Sequence, residues 1–288
     1  EPLVASRVID RISEALNREG VAFSASMVSN ARLLSDEIAR KMAGPWHIRR
    51  IQISLDGAEE EYNRRKNYPR NGASAYREVL ENIRRLSDLP IQVVLRCNVD
   101  EDNIDGVGQM IDDLAACLPR RDHFYFYFAP LFAQRAGAGH EALVRKGLEA
   151  KRYAKSLGFP YVPQSPLHRT RHTPCCAEDP FGSTIIDPKG KLYNCDYCLP
   201  EMCTGDIWQG VSRPDYLRTF VLPEPVPDKC RGCCFLPACT SFSRCPVKKA
   251  DCKQVQAVQL LYDLRNELEE RTAVTLDPPF GEEPEPLC

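Results

Sequence analysis

The stretch IQISLDG, residues 51–57, decides the fold of the chain because apolar and polar residues alternate along it. Successive side chains of a β-strand point to opposite faces, so one face of this strand is aliphatic and the other carries Ser54 and Asp56. The aliphatic face is suited to packing against helices. We therefore predict a strand with one packed face and one face available to a ligand.

Similar β-rich runs and helical patterns surround this stretch. The β-rich runs lie at about residues 21–29, 49–55, 91–98 and 123–129. Apolar residues recur at helical spacing in three further sets, which are Val4, Val8, Ile12 and Leu16; Tyr76, Val79, Leu80, Ile83 and Leu86; and Ile104, Val107, Ile111, Leu114 and Leu118. Each set is expected to form the buried face of a helix. The alternation predicts an α/β fold with parallel strands and crossover helices.

Polar side chains gather on one face of the predicted sheet, near the carboxyl ends of its strands. They are Asn30, Ser54, Asp56, Arg96 and Asn98. A closed barrel filled with aliphatic layers has no such face, whereas barrel enzymes place their chemistry at the carboxyl ends of the strands. We expect a polar, ligand-holding interior. The alternative is an edge-exposed sheet whose polar face only meets water.

Composition narrows the possible partners. The 288 residues are 43% hydrophobic and carry a formal net charge of -2, with no dense basic run of the kind that binds nucleic acid. No apolar run reaches the roughly 18 residues of a membrane span, and no secretory leader is visible. We expect a cytoplasmic protein that acts on a small molecule or a peptide, without nucleic acid or membrane as partners.

Cysteine usage divides the chain. Of the 14 cysteines, only Cys97 and Cys117 precede residue 170, and both are interpreted as small buried hydrophobes. The predicted domains are therefore 1–165, an α/β domain, and 166–272, a cysteine-rich domain, with a Pro- and Glu-rich disordered tail at 273–288.

Segments of the first domain resemble, in order and spacing, motifs of the radical S-adenosylmethionine enzymes. The matches are EPL at 1–3 to the end of GGEPL, SNA at 29–31 with Leu33 to TNGxLL, residues 51–57 to iSLDG, YN at 62–63 with Lys66 to HDxxR, and RCNV at 96–99 with Asn103 to vRxNvtxxN. The resemblance implies a partial (β/α) TIM-like barrel. It also implies that Glu1, Ser54, Arg96 and Asn98 contact S-adenosylmethionine.

One family element does not occur in these residues. The CxxxCxxC loop, which holds the cofactor-cleaving four-iron four-sulfur cluster in the family, would precede GGEP. The expectation is that the chain is N-terminally truncated, that this cluster belongs to the part that precedes Glu1, and that the chain alone does not cleave S-adenosylmethionine.

The cysteines of the second domain resemble the SPASM pattern. Cys176, Gly190 and Cys195 are separated by thirteen and four residues, and Cys230, Cys233 and Cys239 by two and five. Cys245 and Cys252 follow, although five residues precede Cys245 where three are usual. Between Cys176 and Cys195, residues 183–193 form two β-rich runs around a Pro-Lys-Gly turn, which predicts a β-hairpin.

The SPASM resemblance implies two auxiliary four-iron four-sulfur clusters. Cys230, Cys233, Cys239 and Cys252 would hold the second cluster; Cys176, Cys195 and Cys245 would hold the first. Its fourth ligand is predicted to be Cys175, with Cys198 or an open, substrate-binding position as alternatives. Two alternatives would also account for the high density of cysteines. One is a structural zinc held by the CxxC pairs Cys195–Cys198 and Cys230–Cys233, and the other is a disulfide framework.

The resemblance implies an oxidoreductase that modifies a ribosomally synthesised peptide by crosslinking or oxidation, through a 5′-deoxyadenosyl radical. Its partners would be the peptide and a reducing electron donor such as flavodoxin or ferredoxin. A sulfatase maturase is the alternative within this class. Outside the class, the chain would be a non-enzymatic, zinc- or iron–sulfur-stabilised module for peptide binding or electron transfer.

Overall fold

The computed structural model of the protein describes residues 2–67, 74–131, 138–161, 182–194 and 199–215, together with 228, 231, 232 and 268. The chain divides into two compact units, Glu1–Val162 and Pro163–Cys288. In the described residues, the first unit contains alternating helices and parallel strands, whereas the strands of the second unit form a small antiparallel sheet.

Helices and strands alternate through the first unit. In chain order they are α1 (Ser6–Arg18), β1 (Ala25–Ser29), α2 (Asp36–Ala43), β2 (Ile48–Ser54), α3 (Glu59–Lys66), α4 (Ala75–Arg84), β3 (Gln92–Val99), α5 (Val107–Cys117), β4 (Phe124–Pro130) and α6 (Ala138–Ser156). Ser35 is the N-cap of α2, and its hydroxyl oxygen accepts a hydrogen bond from the backbone N–H of Ile38 at 3.2 Å. None of the described helices is both long and apolar enough to cross a membrane.

The four strands form one parallel sheet in the order β1-β2-β3-β4. Ile53 of β2 pairs with Leu95 of β3, which pairs with Phe126 of β4. Because the strands are parallel and in sequence order, their carboxyl ends lie along one edge of the sheet. The predicted α/β class and the four predicted strands are confirmed.

The packed face of the sheet is the one that the alternation predicts. Ile51, Ile53 and Leu55 are fully buried, as are their counterparts Cys97 and Val99 on β3. The helices cover them with aliphatic side chains, which in α4 and α5 are Val79, Leu80, Ile83, Val107, Met110, Ile111 and Leu114. Burial of these side chains is the dominant stabilising contribution in the first unit.

The predicted buried face of α1 is wrong. Val8 and Ile12 are each 56% exposed, and Ser13 is the residue of α1 that is buried. Val28, on edge strand β1, is also exposed. Helical spacing identifies an apolar stripe but not the element that covers it, and Val8 and Ile12 of this stripe are in contact with solvent.

The second unit contains the predicted hairpin. Strands β5 (Ile185–Ile186) and β6 (Lys191–Tyr193) are antiparallel, and β7 (Gly205–Asp206) and β8 (Gly210–Val211) extend the sheet in the order β5-β6-β7-β8. The Asp187 carboxylate accepts the backbone N–H groups of Lys189 and Lys191, both at 2.8 Å. Gly190 adopts a φ of 77°, which a residue without a Cβ tolerates. The hairpin prediction is therefore confirmed.

Candidate functional site

The carboxyl ends of β2, β3 and β4 place three polar side chains in one row. Ser54 pairs with Arg96 in the strand register, and Arg96 pairs with Tyr127. All three side chains are half-buried, in contrast to Ile53, Leu95 and Cys97 of the opposite face, which are almost fully buried. The row is open enough for a ligand to reach and sheltered enough to strengthen electrostatic interactions with it.

Asp56 follows β2 and is buried beside this row. One carboxylate oxygen, Oδ1, accepts both the backbone N–H and the side-chain Nδ2 of Asn98, each at 2.9 Å. The other oxygen, Oδ2, lies 2.8 Å from Nζ of Lys66. Both oxygens therefore hold neighbouring residues of the protein, and Asp56 fixes the end of β3 against the end of β2.

The Arg96 guanidinium is oriented by two neighbours. Its Nε donates to Oδ1 of Asn98 at 3.1 Å, and its central carbon lies 5.7 Å from the ring centroid of Tyr127. In the described part of the chain no carboxylate forms an ion pair with this guanidinium. An oriented, half-buried guanidinium whose charge is not neutralised by an acid is suited to bind a carboxylate or phosphate group.

The last turn of α3 holds the neighbouring end of β3. Nη1 and Nη2 of Arg65 donate to the two carboxylate oxygens of Asp100, each at 2.7 Å. These hydrogen bonds keep the pKa of Asp100 below its ordinary value. The same guanidinium contacts Glu61, so the charge of Arg65 is compensated within the protein.

Asn103 closes the loop after β3. Its Nδ2 donates to the backbone oxygen of Asn98 at 2.8 Å, and its Oδ1 accepts the N–H of Asp100 at 2.9 Å. Asn103 is almost completely buried, so these bonds satisfy an amide that would otherwise cost free energy to bury. The same Nδ2 also lies 3.4 Å from the backbone oxygen of Asp56, so Asn103 connects the loop after β3 to the end of β2.

The residues predicted for this site have different positions. Ser54, Asp56, Arg96 and Asn98 come together as described. Asn30 follows edge strand β1 at the same end of the sheet, where its Oδ1 accepts the N–H of Arg32 at 3.0 Å. Glu1 lies outside the described residues.

The predicted cluster ligands also lie outside the described residues. They are Cys175, Cys176, Cys195, Cys230, Cys233, Cys239, Cys245 and Cys252, together with the alternative ligand Cys198. The described ranges contain no group of three or more His, Cys, Asp or Glu residues placed to hold a metal ion. Of the cysteines outside this set, Cys97 is fully buried, and its burial raises its thiol pKa, whereas Cys117 is half-buried. The predicted burial of Cys97 is thus confirmed.

Two residues of the site were not predicted as site residues from the sequence. Tyr127 is not among the residues predicted for the polar face, yet its ring lies against Arg96. Lys66 was noted only as a weak match to the arginine of HDxxR, yet it forms the ion pair with Asp56. Their partners lie on other elements, so the local sequence contains no signal of these contacts.

Comparison with known proteins places the fold. No family model matches the chain, and a search of curated proteins finds no match. Among solved structures, anSMEcpe with bound AdoMet and the Cp18Cys peptide superposes with a TM-score of 0.62 at 13% identity, covering 94% of this chain and 83% of that chain. A structure of anSMEcpe with bound AdoMet superposes with a TM-score of 0.57 at 14% identity, covering 89% and 78%. The chain therefore has a fold similar to that of anSMEcpe, a protein solved with the AdoMet that the sequence resemblance implies as the cofactor.

Proposed function

We propose that the chain belongs to an enzyme that binds S-adenosylmethionine at the carboxyl end of the parallel sheet and modifies a peptide. The observation that carries the proposal is the oriented Arg96 guanidinium, which no described carboxylate neutralises, in a fold shared with anSMEcpe. That protein was solved with AdoMet and a peptide bound.

The residues of the row fit the polar groups of S-adenosylmethionine. Arg96 offers a cationic fork that matches the methionyl carboxylate. Ser54 and Asn30 lie at the same end of the sheet and supply hydroxyl and amide groups for the ribose hydroxyls. Asn98 and Asp56 serve by orienting Arg96, and Glu1 is proposed to bind the amino group of the cofactor.

The described residues bind and orient, and the cofactor supplies the hydrogen-abstracting chemistry when it is bound. The half-buried row limits the access of water, which strengthens the interaction between Arg96 and an anionic group. The hydrogen bonds that hold Asn98 at the end of β3 limit the movement of Arg96, and such positioning is the contribution that a protein makes to cofactor chemistry.

We further propose that the eight predicted cysteines hold two auxiliary four-iron four-sulfur clusters, which serve substrate binding or electron transfer. A third cluster would be held by a CxxxCxxC loop, and these 288 residues contain no such spacing. On this proposal the 288-residue chain binds S-adenosylmethionine but does not cleave it. The partners would be a peptide and an electron donor such as flavodoxin or ferredoxin.

Sulfatase maturation is the specific alternative within this proposal, because anSMEcpe is an anaerobic sulfatase-maturating enzyme. It differs from peptide crosslinking in the product, an oxidised side chain rather than a new bond between residues. Incubation of the complete enzyme with a sulfatase-derived peptide, followed by mass spectrometry, distinguishes the two. A mass loss without a crosslinked fragment favours maturation.

Binding of S-adenosylmethionine to the chain tests the proposal. Replacing Arg96 by methionine should weaken binding about tenfold or more, because a charge-assisted hydrogen bond is lost from a half-buried site. Arg50 provides the control, since it is exposed and lies on the face of β2 that also carries Ser54, but near the amino end of the strand. Equilibrium dialysis should show wild-type affinity for R50M. Equal affinity of R96M and R50M would contradict the proposal.

Metal analysis tests the cluster part independently. Anaerobic reconstitution should yield about eight irons per chain with a broad visible absorbance, as expected for two such clusters. One zinc per chain without that absorbance would support the non-enzymatic module instead.

A further inference from the structure

Three cationic residues end helix α3, and each has a different role. Arg64 pairs with Glu61 of its own helix. Arg65 reaches Asp100 after β3. Lys66 reaches Asp56 after β2, with its Nζ 2.8 Å from Oδ2. Lys66 is therefore the residue that links the helix to the end of β2.

The buried Asp56 carboxylate requires a nearby cation to compensate its negative charge. Its side chain is 9% exposed, and that of Lys66 is 22% exposed, so the pair is largely removed from water. Burial of an ionised carboxylate is unfavourable unless a partner compensates its charge. In the described part of the chain, Lys66 is the cation that pairs with Asp56, and Arg65 is already held by Asp100 and Glu61.

The Asn98 amide transmits the orientation of Asp56 to Arg96. A carboxylate only accepts hydrogen bonds, so the Asn98 Nδ2 group must face Asp56. The amide oxygen must then point the other way, where it accepts Nε of Arg96 at 3.1 Å. If Asp56 rotates, the Nδ2 group of Asn98 loses its acceptor. The amide oxygen of Asn98 is then no longer held in the position where it accepts a hydrogen bond from Arg96.

We propose that Lys66 is a positioning residue for the carboxylate of the bound cofactor, acting through Asp56 and Asn98 on Arg96. This inference rests on the proposed binding of S-adenosylmethionine. Lys66 itself contacts Asp56 and the ring of Tyr62, whose centroid lies 5.8 Å from its Nζ. Its contribution to affinity is therefore indirect and specific to the ligand group that Arg96 binds.

A purely structural role of the same ion pair predicts a different result. Loss of the link between α3 and β2 would then lower stability and weaken every ligand of the site equally. A positioning role weakens only ligands that carry the carboxylate. S-Adenosylmethionine and its decarboxylated analogue differ in this one group and so separate the two roles.

The experiment uses the whole 288-residue chain with Lys66 replaced by methionine, by glutamine and by arginine. Arg64→Met is the matched control, because Arg64 is a cation of the same helical turn whose ion pair is at the surface. Equilibrium dialysis gives the dissociation constants for both ligands, and thermal unfolding monitored by circular dichroism reports whether each variant is folded. The glutamine variant supplies the comparison if the methionine variant does not fold.

K66M and K66Q should bind S-adenosylmethionine roughly tenfold more weakly, with less than a twofold change for the decarboxylated analogue. K66R should restore affinity to within about threefold, since it keeps the cation, and R64M should match the wild type. In an R96M background, K66M should add less than a twofold effect, because its target is absent.

Two results would overturn the inference. If wild-type protein does not bind S-adenosylmethionine, the proposed function fails and this inference fails with it. If wild-type protein binds but K66M weakens both ligands equally, or neither, the proposed function stands and the positioning role of Lys66 is wrong.

Discussion

The two faces of the parallel sheet use the same strands for different purposes. On one face Ile53 is fully buried under helices. On the other, its neighbour Ser54 is half-buried at the end of the row that contains Arg96. Adjacent residues therefore separate stability from binding, because the packed face contributes apolar burial and the open face contributes oriented polar groups.

Separate substitutions of Ile53 and Ser54 should give the largest difference between the two faces. Ile53→Ala should lower the free energy of unfolding by about 2–5 kcal/mol, since it leaves a cavity in the packed face. Ser54→Ala should change it by about 0.5 kcal/mol or less while weakening the binding of S-adenosylmethionine. Denaturant unfolding and equilibrium dialysis measure the two effects. If Ser54→Ala destabilises the protein more than Ile53→Ala, the division of roles is wrong.

The second prediction concerns the polar framework beside the row. Asp100→Asn keeps the shape of the side chain but removes its charge from Arg65, and should cost about 2 kcal/mol of stability at neutral pH. The folded protein holds the pKa of Asp100 below its ordinary 3.8. The stabilisation is therefore present above that value and is lost as the pH falls through the folded pKa.

Unfolding curves of wild type and D100N measured between neutral pH and pH 2 test this sign. The two stabilities should converge on acidification. Divergence at low pH would show that the ionised carboxylate is not the stabilising form.

The smallest effect sharpens the comparison between buried and exposed helix faces. Val79 of α4 is fully buried and Val8 of α1 is 56% exposed, although both were predicted to face the core. Val79→Ala should cost about 1–2 kcal/mol, at ~0.8 kcal/mol for each methyl group removed. Val8→Ala should stay within about 0.5 kcal/mol. Equal losses in thermal unfolding would mean that the α1 stripe is covered in solution.

The sequence was sufficient for the sheet because a strand's alternation is a local property. Residues 51–57 distinguish a packed face from a polar face without reference to any other element. The α1 error has the opposite cause, since the spacing of Val8 and Ile12 defines a stripe but the covering element lies elsewhere in the chain.

The site was predicted in its members but not in their roles. Strand ends and the family resemblance nominate Ser54, Asp56, Arg96 and Asn98, and the structure brings these four together. Asp56 binds Asn98, and Lys66 compensates the negative charge of Asp56. Both contacts depend on how α3 packs beside the ends of two strands. Such long-range pairs have no local pattern in a single sequence.

The most direct test of the central claim is a crystal structure of the chain with S-adenosylmethionine. The account predicts the methionyl carboxylate within about 2.7–3.2 Å of the Arg96 guanidinium nitrogens, with the Asn98 hydrogen bond retained. A ligand bound away from the carboxyl ends of β2 and β3, with Arg96 contacting only Asn98 and Tyr127, would contradict it.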